Sequence, residues 1–419
     1  MKVGGVSRVP GDKSISHRAL MLAALAQGPS RIRGILPSMD IESTAAVLRA
    51  LGAAIPPLSA DMTVTGHGPA ALRAPGHDLD CGNSGTTARL VAGIAAAAPF
   101  SSRFVGDASL SRRPMHRIAR PLGAMGASFD FASGDGLPMT VHGARLRPVD
   151  WTTEAASAQV KSAILLAATT AGVSAAVREP APSRDHTERM LAALGATVQV
   201  EDTIVRLDPP QRLAPLDMLV PGDPSSAAFL AALAALASEG DLTLVDVCLN
   251  PTRTGFLRAL SRMGSRLEIQ PGERQGGEEM GTIRVWPSEL RAVELEGSEV
   301  PSMIDELPLL ACVAARADGV TLIRGAGELR VKESDRIATV VANLRAIGAE
   351  AEEHPDGLSV AGSTRPLRGL VRTGGDHRIA MAFGILAALP GNAIEIDDPA
   401  CAAVSYPGFW EDVRRAIRD

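Results

Sequence analysis

The sequence predicts an α/β protein built from six similar units, divided into two halves of three. Three observations carry that prediction. A helix-ending motif, L-x-x-[LMI]-G-[AS], recurs as LRALGA (48–53), LGAMGA (122–127), LAALGA (191–196), LSRMGS (260–265) and LRAIGA (344–349). An Ala/Leu-rich helical run lies upstream of the copies, as in HRALMLAALA from His17 and SAAFLAALAALA from Ser226. Short β-prone stretches separate the helices, such as ASFDF from Ala127, TVQV from Thr197 and VTLI from Val320.

Each element has a physical reason. Glycine at the end of an apolar periodic stretch is a helix C-terminal stop, because it accepts the left-handed conformation without a Cβ clash. The run before it is long and periodic enough for a helix, and the alternating residues after it suit a strand. A sixth first helix, HRIAMAFGILAAL from His377, leads to GFWEDVRRAI at the C-terminal end. Strand, helix, strand, helix and strand thus repeat with a period of about 70 residues. The boundary between halves falls near PGDP at 221–224, and AALRAPGHDLD and QPGERQGGEEMG read as loops.

Composition narrows the function. The 419 residues are 46% hydrophobic and 21% charged, with a net charge of −5, as in a soluble globular protein of two or three domains. That charge gives no general attraction for nucleic acid or an acidic membrane. Eight Phe, three Trp and one Tyr are too few for base-stacking platforms. Cys81, Cys248, Cys312 and Cys401 form no C-x-x-C pair, so neither a zinc site nor a disulfide framework is expected. The start MKVGGVSRVPGDKS has no apolar stretch, and the run from Leu90 to Phe100 is too short to span a bilayer. A cytoplasmic protein is expected. Only Lys2, Lys13, Lys161 and Lys332 among the 42 basic residues are lysine. Each lysine is a candidate for a point-charge role that a planar guanidinium cannot fill.

Polar chemistry gathers where the first helices begin. Those starts read GDKSISHR, GNSGTTAR, SAQVKS, GDPSSAAF, SMIDELP and GGDHRIA, while the helix bodies are Ala and Leu. Ser, Thr and Asp there are N-caps. Capping does not require Lys13, Arg18, Lys161 or Arg378, since cations are disfavoured at the positive end of a helix. Cations at that end suit an anion held between them and the free N–H groups. The second helices carry cations near their starts too, in SRRPMHR, SRDHTER, NPTRTGF and RVKESDR. The pattern fits a small polyanion with more than one phosphate or carboxylate. Asp305 and Glu333 are the acid–base candidates, each beside a helix start or cations. Taken alone, either reads as a surface carboxylate. His17 and His377, at equivalent positions, read as buttresses to the arginines that follow them. No P-loop, Rossmann, H-E-x-x-H or G-x-S-x-G motif is present.

The motifs GDKSISHR, GNSGTTARL, GDASLSRRP, SAQVKS, RDHTER, GDPSSAAF, NPTRTG, IDELP, RVKESDRI, GGDHRIAMAF and SYPGF cover essentially the whole chain. Together and in this order they resemble the EPSP synthase (3-phosphoshikimate 1-carboxyvinyltransferase) family. GDKS, SAQVK, RDHTE and NPTR are similar to its class II branch, many of whose members resist glyphosate. The resemblance implies two domains of three βαβαββ units each around a pseudo-threefold axis, an inside-out α/β barrel. Residues 12–220 would form one domain and 1–11 with 221–419 the other, with the active site in the cleft between them. Closure on substrate would hinge near Pro10-Gly11 and at 219–224. It implies transfer of the enolpyruvyl group of phosphoenolpyruvate to the 5-hydroxyl of shikimate 3-phosphate, by addition and elimination, in a monomer without metal or organic cofactor. Lys13, Ser14, Arg18, Ser157, Ala158, Gln159, Arg184, Asp305 and Lys332 would bind shikimate 3-phosphate. Lys13, Asn83, Gly85, Thr86, Arg113, Gln159, Arg336 and Arg378 would surround phosphoenolpyruvate. Asp305, Glu333 and Lys13 would be catalytic: Asp305 takes the hydroxyl proton and Glu333 handles the proton at the methylene carbon. Two carboxylates in different environments suit that division, and arginines suit bidentate anion recognition.

One departure concerns the last motif. Class I members carry a lysine near the aromatic-proline segment where this chain has Val404 ahead of Ser405, Tyr406 and Pro407. Lys161 is the candidate substitute for that charge. Gly85 is where some resistant members carry alanine, which leaves inhibitor tolerance open. Two rival readings remain. A UDP-N-acetylglucosamine enolpyruvyl transferase would place a reactive cysteine in an active-site loop, whereas Cys81, before GNSGT, reads as buried. A non-catalytic anion-binding protein on this scaffold would keep the arginines without needing both Asp305 and Glu333.

Overall fold

Most of the polar motifs become helix N-caps. The computed structural model describes residues 1–209 and 212–418. Its helices are α1 (Lys13–Leu25), α2 (Met39–Ala50), α3 (Gly85–Ala96), α4 (His116–Met125), α5 (Ala158–Ala171) and α6 (His186–Ala193), then α7 (Pro224–Ala235), α8 (Gly255–Arg262), α9 (Leu307–Ala314), α10 (Arg336–Ala346), α11 (His377–Ala387) and α12 (Phe409–Ala416). Asp12 accepts from the Ile15 N–H at 2.8 Å, and Ser84 accepts from Thr87 at 3.1 Å. Asp223 and Asp376 cap α7 and α11 in the same way. SMIDELP departs from the expectation. Its start forms the 3-10 turns Val300–Ser302 and Ile304–Glu306, and α9 begins only at Leu307. Pro308 lacks an N–H and therefore fits the first turn of α9. The recurring stop glycine behaves as expected, with φ +122° at Gly126 after α4.

The chain divides into two compact units. The first comprises Gly11–Val220 and Arg274–Glu278, the second Met1–Pro10, Pro221–Glu273 and Glu279–Asp419. The third repeat of the first unit shows the pattern. Strand Val149–Thr152 pairs in parallel with Ala175–Arg178 across α5, in the register Val149↔Ala175. After α6, the hairpin Val198–Glu201/Ile204–Leu207 returns antiparallel to Ala175–Arg178. The repeat is therefore βαβαββ, one strand longer than the periodicity alone suggested. Its closing turn contains Asp202 at φ +52°, a conformation Asp tolerates without the glycine that marks a tight hairpin in sequence. In the second unit, Lys2–Ser7 pairs in parallel with Glu239–Cys248. In the first unit, Asp217–Leu219 pairs in parallel with Gln27–Arg33. The N-terminal strand thus completes the fourth repeat, and the strand before α7 completes the first.

Within the first unit α3 packs on α1 and α5; within the second, α7, α9 and α11 pack on one another. Their Ala-rich faces allow close approach: a Cβ on Gly93 of α3 would lie 2.3 Å from the Ala163 carbonyl oxygen of α5. Every residue of α7 is buried. Such a helix is apolar all round and has no wet face for chemistry. Helix α8 instead buries Phe256, Leu257, Ala259 and Leu260 and exposes Arg258 and Arg262. On the inner helices polar chemistry is left to the ends. No described helix is long and apolar enough to cross a membrane.

Candidate active site

In the first unit, candidate residues stand at the starts of α1, α3 and α5 and just before α6. Arg18 is buried one turn into α1. It donates from Nη1 to the Ser14 carbonyl (2.9 Å), from Nε to Thr187 Oγ1 (2.7 Å) and from Nη2 to Ser162 Oγ (2.8 Å). Burial lowers its guanidinium to about 10, against the opposing pull of Glu188, Asp12 and Glu278. Lys13 forms an ion pair with Asp40 of α2. His17 Nδ1 meets Thr44 Oγ1 at 2.6 Å, and burial drives its imidazole down to about 3. It is neutral at ordinary pH and holds α1 against α2.

A second group lies where α3 meets α5. Gln159 donates from Nε2 to Thr86 Oγ1 (3.1 Å) and accepts from Arg89 Nη1 at Oε1 (2.5 Å). Arg113 donates to Asn83 Oδ1 at 2.8 Å, and Asn83 donates to Asp107 at 2.5 Å. Gly85 is the first residue of α3. A Cβ there would lie 3.3 Å from Arg113 Nη1 and 3.6 Å from Arg89 Nη1. A helix N-terminus flanked by two guanidinium groups is chemically suited to a small carboxylate or phosphate. Ser157 caps α5 ahead of Ala158, and Arg184 is half-buried two residues before α6.

In the second unit a single arginine organises the acid–base candidates. Arg336, 1% exposed at its side chain, donates from Nε to Asp376 Oδ2 at 2.9 Å. Its Nη2 donates to Glu333 Oε2 at 2.6 Å, and its Nη1 lies 3.4 Å from Asp305 Oδ1. Burial would lower the guanidinium, but Glu333, Asp376 and Asp305 outweigh it and hold Arg336 charged. Burial alone would raise the Asp376 carboxyl; Arg336 holds it below its ordinary value. Asp305 and Glu333 are different, with side chains 16% and 28% exposed. Each is exposed enough to meet a ligand while held by Arg336. Arg378 Nη1 lies 3.9 Å from Glu306, which also accepts from Ser225. Half-buried Lys332 directly precedes Glu333.

The structure thus brings Gln159 to Thr86, Arg113 to Asn83 and Gly85, Arg18 to Ser14, and Arg336 to Asp305 and Glu333. It corrects the reading of Lys161. That lysine is 3% exposed at its side chain and sits between Glu179 (2.6 Å) and Glu188 (2.8 Å). Burial would lower its ammonium, but the two carboxylates raise it above the ordinary lysine value. It is bound inside the first unit and is not a substitute for the lysine missing at Val404. Arg253 of NPTRTGF is likewise interior, donating to Asp223 Oδ1 and Ser225 Oγ, both at 2.9 Å. Cys81 is fully buried, and burial raises its thiol well above the ordinary range. Sequence reasoning missed Asp40, Arg89, Glu179 and Asp376. Arg89 and Asp376 stand inside quoted motifs, where an extra charge was the available signal. Asp40 and Glu179 had none. Among the described residues no cluster of three or more His, Cys, Asp or Glu could hold a metal ion.

Residues 1–413 match the family model described as EPSP synthase (3-phosphoshikimate 1-carboxyvinyltransferase). A 3-phosphoshikimate 1-carboxyvinyltransferase of Desulforamulus reducens is 46% identical, over 99% of this chain and 97% of that one. A solved EPSP synthase from Acinetobacter baumannii superposes with a TM-score of 0.88 at 39% identity, covering 99% of this chain and 96% of that one. The enolpyruvyl transferase NikO of Streptomyces tendae shares the fold, with a TM-score of 0.77 at 20% identity over 99% of this chain and 95% of that one.

Proposed function

The chain belongs to the EPSP synthase family, and we infer from that membership how its two residue clusters divide the reaction. It transfers the carboxyvinyl group of phosphoenolpyruvate to the 5-hydroxyl of shikimate 3-phosphate, releasing phosphate. The observation that carries the division of labour is the buried Arg336 guanidinium shared by Asp305 and Glu333. In the addition step the hydroxyl oxygen bonds to C2 of the enol, Asp305 takes its proton, and Glu333 protonates C3. In the elimination step the C2–O bond to phosphate breaks, the phosphate leaves with the proton that Asp305 had taken, and Glu333 recovers a proton from C3. Two carboxylates held by one fixed cation can each carry out their own proton transfer without reorganising.

In this reading Lys13, Ser14, Arg18, Ser157, Ala158, Gln159, Arg184, Asp305 and Lys332 hold shikimate 3-phosphate. Asn83, Gly85, Thr86, Arg113, Arg336 and Arg378 hold phosphoenolpyruvate, with Lys13 and Gln159 serving both. Two motif features support it: Gly85 stands beside the Arg89 and Arg113 guanidinium groups, and Gln159 ties α5 to α3. The same reading makes the protein a class II, cytoplasmic monomer acting on two small molecules, its mass readable by light scattering. Phosphate release on mixing with phosphoenolpyruvate and shikimate 3-phosphate tests the function. Release with UDP-N-acetylglucosamine instead would move the chain to the rival acceptor, and release with neither would leave only anion binding.

A further inference from the structure

Glu179 directly follows the first-unit strand Ala175–Arg178, and its side chain is 2% exposed. Its Oε1 accepts from the Ser157 backbone N–H at 3.0 Å. Its Oε2 accepts from Lys161 Nζ at 2.6 Å and from Ser183 Oγ at 2.8 Å. One carboxylate therefore joins the start of α5 to the segment before α6. Those two segments carry Ser157, Ala158 and Gln159 on one side and Arg184 on the other. All three partners are donors, so the position requires an acceptor-only group at both oxygens. A glutamine would turn an NH₂ toward one of them.

We propose that Glu179 is a positioning residue for shikimate 3-phosphate: it fixes the spacing between the Ser157–Gln159 and Arg184 segments. Lys161 supplies the matching charge, its ammonium 2.6 Å from the carboxylate inside the unit. The proposal rests on the assignment of those segments to shikimate 3-phosphate. It explains why one of four lysines points inward: a compact ammonium fits between Glu179 and Glu188 where a planar fork would not.

The test uses the full chain and the variants Glu179→Asp, Glu179→Gln and Ser183→Ala. Glu179→Asp keeps the charge but is one methylene too short to span both segments. The Michaelis constant for shikimate 3-phosphate should rise about 10-fold or more in both Glu179 variants, the scale of one lost hydrogen bond to a charged group. Turnover should stay within about 3-fold, and the constant for phosphoenolpyruvate should change less. Ser183→Ala cuts one contact only and should raise the shikimate 3-phosphate constant by about 3-fold. In the ligand-free state, hydrogen exchange at the Ser157 amide should speed up in Glu179→Asp while the interior of α5 stays protected. If Glu179→Asp does not fold, Ser183→Ala decides the matter alone. Unchanged affinity in Glu179→Asp or Ser183→Ala overturns the brace, as does a loss of turnover at constant affinity. Failure of the unaltered protein to bind shikimate 3-phosphate in a direct titration would instead overturn the substrate assignment.

Discussion

Arg336→Lys keeps the charge and removes the fork. The guanidinium reaches Asp376 at 2.9 Å, Glu333 at 2.6 Å and Asp305 at 3.4 Å from three different nitrogens. A single ammonium nitrogen cannot span all three. Water can replace the contacts to Asp305 and Glu333, which are partly exposed, so their share of the cost is small. Asp376 is 0% exposed, and a weakened partner there leaves a buried carboxylate under-compensated. We expect a loss of about 3 kcal/mol at pH 7, the low end for disrupting a buried pair. The pH dependence has a definite sign. The native Asp376 pKa is depressed, so its contribution is complete above the unfolded value near 3.9 and disappears as pH falls through the native value. The variant's deficit should be full at pH 7 and smaller below about pH 4. Urea unfolding followed by tryptophan fluorescence reads this, since Trp286 and Trp410 lie in the same unit. If Asp305 and Glu333 do the proposed proton transfers, turnover should fall about 10²-fold as both lose their shared anchor. An unchanged urea midpoint at pH 7, or a gap that does not narrow in acid, refutes the reasoning.

Three other outcomes follow from the site. Lys13→Arg should lose most activity although the ion pair with Asp40 can re-form, because a planar head cannot replace a compact charge between two anions; near-normal turnover would remove the bridging role. Gly85→Ala places a methyl 3.3 Å from Arg113 Nη1 and must displace a guanidinium, so the Michaelis constant for phosphoenolpyruvate and the glyphosate inhibition constant should both rise while that for shikimate 3-phosphate holds. Unchanged phosphoenolpyruvate kinetics would separate Gly85 from that site. Lys161→Met leaves Glu179 and Glu188 buried without their cation and should cost about 3–5 kcal/mol at pH 7. Burial already raises the Glu188 carboxyl, so the variant's deficit should shrink as pH falls and Glu188 protonates; a pH-independent thermal deficit would contradict this.

The repeat architecture was legible because each unit writes its own boundaries. Caps such as Asp12, Ser84 and Asp223 begin the first helices where the motifs placed them, and the stop glycines close the second helices, as Gly126 does after α4. The extra strand was hidden because Asp202 makes a hairpin turn without the glycine signal. Site residues within motifs were legible for the same reason, as short segments carry both the helix start and its chemistry. Side-chain direction was not. Lys161 and Arg253 share the residue type and placement of anion ligands, and only packing shows that Glu179, Glu188 and Asp223 claim them. Glu179 lies in an unremarkable stretch of Arg, Glu and Pro; its three partners come from residues 157, 161 and 183. Such long-range electrostatic matching has no period to detect.

In the proposed reaction Glu333, held by Arg336 beside Asp305, moves a proton to and from C3 of phosphoenolpyruvate. Turnover in D₂O, with mass spectrometry of the carboxyvinyl product, tests it directly. The unaltered protein should place deuterium at the vinyl carbon. Glu333→Gln should lower deuterium incorporation and phosphate release together, by about 10²-fold, with substrate affinity little changed. Phosphate release from the unaltered protein with no deuterium in the product, or deuterium incorporation at the unaltered rate in Glu333→Gln, would contradict it.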